Sequence, residues 1–139
     1  MSTGVERARR ELFAALLLAN TGFAAQTVAC AFRAALAAAE AALVELGRAP
    51  DPEPAAVMAA FVRHVVRDRG LDAEAGRLLR SLHNRAELAH ADGSVPVAEG
   101  PTAITDATAV VDAVDTWLQH ADFVGIARDQ ARPRPGRRR

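Results

Sequence analysis

The stretch NRAELAHAD, Asn84 to Asp92, sets an arginine and a histidine five positions apart among helix-forming residues. A histidine that titrates near neutral pH can take a proton from a hydroxyl, and a permanently charged guanidinium can meet negative charge on a ligand. On an ideal helix residues five apart are rotated by about 140°, so Arg85 and His90 stand on opposite flanks of one straight helix. Chemistry from this pair therefore calls for a second surface. Asn84 could orient phosphate, Glu87 or Asp92 could fix the imidazole tautomer, and His83 is close enough to join. The plainer account of the same residues is an arginine on a helix flank and a histidine in the last turn. There a cation meets the helix dipole and the free carbonyls, worth about 0.3–1 kcal/mol.

Other chemistries find no support in the residue pattern. No His-x3-His pair with a supporting carboxylate occurs, so no metal site is expected, and no glycine-rich phosphate loop or nucleophile elbow points to an NTPase or a hydrolase. No cofactor is expected. His64 and His120 fit solvated helix positions, and Trp117 sits in an apolar stripe, as a core anchor does. The single cysteine, Cys30, excludes an internal disulfide. Its apolar neighbours suit a buried thiol in a reducing compartment, and cytoplasmic placement is the expectation. The basic residues before LFAALLLAN have the outline of a signal peptide, but Glu6 and Glu11 interrupt them and Asn20 cuts the apolar run short. No stretch reads as a membrane span.

These residues must be positioned by helices. The chain has 139 residues, half of them apolar, with 4% aromatics, no tyrosine and abundant alanine. That composition suits one domain of closely approaching helices. The neutral total charge is uneven. All 17 basic residues are arginine; residues 128–139 carry six of them and one acid, leaving a body with 11 arginines and 16 acids. An acidic body argues against a broad nucleic-acid-binding face, while the Pro/Arg-rich tail reads as disordered and able to touch RNA or anionic surfaces.

Apolar periodicity predicts five helices. The first runs from about Val5 to Asn20, with a Thr3/Glu6 capping box and a stripe of Phe13, Leu16 and Leu17. The second, from about Ala24 to Leu46, carries Val28, Phe32, Ala35, Ala39 and Leu43, and its alanines let neighbours approach on several sides; it is the expected central helix. Pro54 opens a third, with Val57, Phe61, Val62, Val65 and Val66 as its stripe, and Gly70 ends it. Asp72 caps a fourth with Ala75, Leu78, Leu79, Leu82, Ala86 and Ala89 inward, stopping at Gly93. SVPVAEGPT reads as a loop, and the fifth helix is expected from about Thr105 to Phe123. A single-domain, all-α antiparallel bundle over residues 4–126 follows, with residues 127–139 as the tail.

The order and spacing of these helices resemble the HEPN domain, a helical domain of bacterial and archaeal RNases and toxins. The alanine-rich TVACAFRAALAAAEAALVELG, the proline-containing link and GLDAEAGRLLRSLHNRAELAHAD carry the resemblance, which covers about Glu6 to Ala121. The superfamily's signature, an arginine followed after four to six residues by a histidine, falls on Arg85 and His90, and Leu88 and Ala89 match the toxin form as well. Where that form has an asparagine after the arginine and a tyrosine after the histidine, this chain has Ala86 and Asp92. At second-helix positions where a related subfamily carries arginine, two tyrosines and histidine, it has Cys30, Phe32, Arg33 and Ala37. The resemblance implies a metal-independent endoribonuclease of toxin type whose Arg85 and His90 face those of a second copy across a two-fold cleft. It implies a homodimer, an RNA substrate, and a nucleotidyltransferase or antitoxin partner. The alternative is a catalytically inert helical module that dimerises or docks a partner.

Overall fold

The computed structural model describes residues 3–92 and 94–124, with side chains from Val5 to Ala91 and from Ser94 to His120. Among the described residues there are five helices and no strand: α1 Thr3–Asn20, α2 Ala24–Glu45, α3 from Pro54, α4 Ala73–Asp92 and α5 Glu99–Val124. The side chain of Thr3 expected to cap α1, the stop at Gly93 and the tail from residue 127 lie outside what is described.

Helix α2 is the axis of the bundle, and each of the other helices packs on it. Its buried face is mostly alanine, from Ala31 through Ala42, with Val28, Phe32 and Leu43 as the larger members. Small side chains let backbones approach, and the first turn of α5 does so: a Cβ on the buried Gly100 would stand 3.2 Å from Thr27 Cγ2. By length and apolarity α2 is also the one described helix able to cross a membrane, which the sequence did not suggest. Here 72% of that stretch is buried by its own neighbours.

Three glycines turn the chain. Gly22, Gly47 and Gly70 all have positive φ, the left-handed conformation that side chains disfavour. At the end of α2, Gly47 N–H donates to Val44 O at 2.8 Å and Arg48 N–H to Leu43 O at 3.0 Å, which closes the last carbonyls in a Schellman-type cap. The three-residue turn at Gly22 makes α1 and α2 an antiparallel hairpin.

Two helices differ from expectation in their form or bounds. Helix α3 starts at Pro54, as its proline predicts, but after Ala60 it widens into a π-helical stretch, Phe61–Arg67. Phe61 and Val65 are completely buried there, while Val62 and Val66 are only half-buried. Helix α5 starts at Glu99, six residues before the predicted Thr105. Pro101 does not prevent this, because in the first turn its missing N–H has no helical partner to lose.

The inward stripes of α4 and α5 match their periodicity: Leu79, Leu82, Val110, Val111 and Val114 are completely buried. Trp117 is half-buried and donates its ring N–H to Arg69 O at 3.1 Å. Helix α1 reverses expectation. It faces the core with Val5, Ala8, Leu12 and Ala15, and the Phe13, Leu16, Leu17 stripe points outward. Exposed ion pairs join the helices around this core, Arg9 to Asp112 and Asp115 at 2.9 and 3.0 Å and Arg7 to Glu40. Each adds little by itself.

Candidate functional site

Helix α4 delivers the candidate residues. Its start is fixed by Asp72, whose Oδ1 accepts from Glu74 N–H at 3.0 Å, and Glu74 in the first turn meets the positive end of the dipole. From there the helical period sends Leu79 and Leu82 into the core, and Arg85 emerges toward α5.

Arg85 is held by two carboxylates. Its guanidinium donates to Asp106 Oδ2 at 2.7 Å and lies 3.7 Å from Glu99 Oε1. Glu99 and Asp106 are seven residues apart, two turns along one face of α5, so both reach the same side chain. The arginine is one-fifth exposed, and its Nε is buried with no hydrogen-bond partner among the described residues. It borders a pocket of 300 Å³ with Leu88, Val95 and Pro96. One cation against two anions leaves this spot with a net negative charge. A phosphate must therefore compete with carboxylates already in place.

His90 is exposed and lies elsewhere, on a groove of 470 Å³ between the end of α4, the α1–α2 turn and the segment before α5. Phe23, Ala89, Val95 and Val97 line that groove with it. No hydrogen bond or ion pair joins His90 to Arg85 in one chain. The two are neighbours across a ridge, for Ala89 and Val95 border both the groove and the Arg85 pocket.

The supporting residues separate. Glu87 lies 3.7 Å from His83 Nε2, one turn back on α4, and the His83 ring packs at 5.2 Å against Phe32 of α2. Asn84 is exposed on another face of α4, beside Arg77 and Arg80. The side chain of Asp92 lies outside the described residues.

The distinctive positions of α2 are also accounted for. Ala37 and Phe32 are core residues. The buried Cys30 accepts from Arg33 at 3.2 Å and donates to Glu11 at 3.6 Å, and burial pushes its thiol above the ordinary range, away from nucleophilic thiolate. No three histidines, cysteines or acids among the described residues are grouped to hold a metal ion.

Sequence reasoning missed Glu99 and Asp106. A signal was present in their seven-residue spacing, but Glu99 falls in the segment read as loop. Comparison of the chain with protein-family models, with curated proteins and with solved structures finds no match.

Proposed function

We propose that the chain is a self-associating helical module in which two copies cover the apolar end of the bundle against each other. The observation that carries this reading is the doubly apolar α1. A helix with one face in its own core and a second apolar face outside needs a second cover. Phe13 is 63% exposed and Leu17 53%; past the α1–α2 turn Phe23 and Val97, the latter 79% exposed, line the His90 groove, and Leu88 at 70% borders the adjoining Arg85 pocket. With Leu16 these six side chains expose roughly 650 Å² by ordinary residue areas, against about 800 Å² per partner in a standard interface. No charged residue occurs between Glu11 and Arg33, so a second copy brings no like charge to the α1–α2 hairpin. In this reading Arg85 is a clamp between α4 and α5.

Gel filtration with light scattering tests it. Twice the 14.7 kDa chain mass is expected at tens of micromolar, and Phe13→Glu with Leu17→Glu should give a monomer of unchanged helicity. A wild-type monomer at that concentration rules the reading out.

A second reading, the metal-independent endoribonuclease, is favoured by the place of His90. Its imidazole lies in the groove that a second copy would border, one ridge from Arg85. There it would take the 2′-hydroxyl proton as that oxygen attacks phosphorus and the 5′-oxygen leaves, producing a 2′,3′-cyclic phosphate. RNA cleavage should then persist in chelator and fall by about 10²–10⁴-fold in His90→Ala. Equal silence of wild type and His90→Ala on RNA at low salt disposes of it.

A further inference from the structure

A third groove lies between the π-helical stretch of α3 and the first two-thirds of α4. It has a volume of 560 Å³ and shares no lining residue with the grooves around Arg85 and His90. Its floor is apolar, built from Val62, Val66, Ala73 and the buried Gly76, whose missing side chain keeps it open: a Cβ there would meet Val62 Cγ2 at 3.3 Å. Three arginines form the rim. Arg67 stands on the α3 side, Arg77 and Arg80 on the α4 side, and no carboxylate lines the groove.

The arginines are available. Arg67 and Arg80 are exposed and make no ion pair or hydrogen bond with any described residue. Arg77 bonds Glu74 at 2.7 Å, an exposed pair three residues apart in one helix, which another anion displaces at little cost. In a body where acids outnumber arginines, three guanidiniums around an apolar trough that no carboxylate lines, with Glu74 the one acid paired to them among the described residues, are a local inversion of charge.

The geometry points to a docking site for an acidic amphipathic helix of a partner protein. Cations border the trough on both sides, and from Arg77 to Asn84 the α4 wall rises by about 10 Å, two turns of a facing helix. An apolar stripe flanked on each side by glutamates or aspartates complements that layout. An acyl anion, with one charged head, would engage only one wall. Nucleic-acid bases find no aromatic ring to stack on, since none lines the groove. A second copy of this chain is a poor occupant, because the outward stripe of α1 has no acid among residues 12–32 to meet the arginines.

The probe is a synthetic helical peptide of about five turns with leucines at i, i+3 and i+4 spacing, flanked by glutamates, added to the full-length ¹⁵N-labelled protein at low salt. Saturable shifts of the Val62, Val66, Gly76 and Asn84 amides are expected. Arg67→Glu with Arg80→Glu should weaken binding by at least about tenfold with the melting temperature unchanged, and a peptide with glutamine for glutamate should lose as much. A peptide keeping the acids but carrying serine for leucine controls for attraction to the six arginines after residue 127. Equal binding of that peptide, undiminished binding to the doubly reversed variant, shifts centred outside this groove, or occupancy by dodecanoate but not by the peptide would each overturn the proposal.

Discussion

Arg85 sits between two carboxylates of α5, and two accounts of it separate by measurement. As a clamp it offsets part of the charge of Asp106 and Glu99, two part-buried carboxylates on one face of α5. Arg85→Ala should then lower unfolding stability by about 1–3 kcal/mol, since two carboxylates lose the one cation paired with them among the described residues. Arg85→Ala combined with Asp106→Asn should cost less than the sum of the single changes. Urea titration of the three variants reads this directly. A purely catalytic arginine predicts no stability loss, and wild-type stability in Arg85→Ala would remove the clamp.

At the scale of the element, the glycine turns set where helices end, and their cost is separable from packing. Gly70 has φ near +78° and nothing within 4 Å of where a Cβ would stand, so Gly70→Ala tests the backbone alone. A loss of about 1 kcal/mol in thermal or urea unfolding is expected, with the structure unchanged. Turns of this kind were legible, as were the cores of α2, α4 and α5, because glycine punctuation and 3.6-residue spacing are local signals. Helix α1 misleads for a physical reason: its core face is half alanine, while larger Phe13, Leu16 and Leu17 dominate any hydrophobic ranking and lie outside. The start of α5 misleads because Gly100 and Pro101 look like loop residues. Gly100 is there for its close approach to Thr27, and Pro101 is harmless in a first turn. The candidate site was legible as far as α4 reaches, since Arg85 and His90 sit on the flanks their spacing requires. Its other half was not, because the partners of Arg85 are 14 and 21 residues away on a helix whose beginning was misplaced.

For the whole molecule, three surface grooves differ in charge: one at the uncharged α1–α2 end, one beside an arginine held between acids, and one rimmed by arginines. The uncharged end makes an ionic prediction. Self-association through Phe13, Leu17 and Phe23 should survive a rise from about 0.1 to 1 M salt, which shortens the Debye length from about 10 to 3 Å, whereas binding in the trough should weaken. Sedimentation at the two salt concentrations separates them, and dissociation by salt would move the interface to a charged surface. Helix α2 has one more consequence. Most core helices are injured by losing atoms, and a scan to alanine finds their centre; the buried face of α2 is already built mostly from the smallest side chain that a helix favours. Such a scan would pass silently over the eight buried alanines between Ala31 and Ala42. Enlargement, an overpacked side chain costing about 1–3 kcal/mol, would reveal that these inconspicuous residues tolerate little.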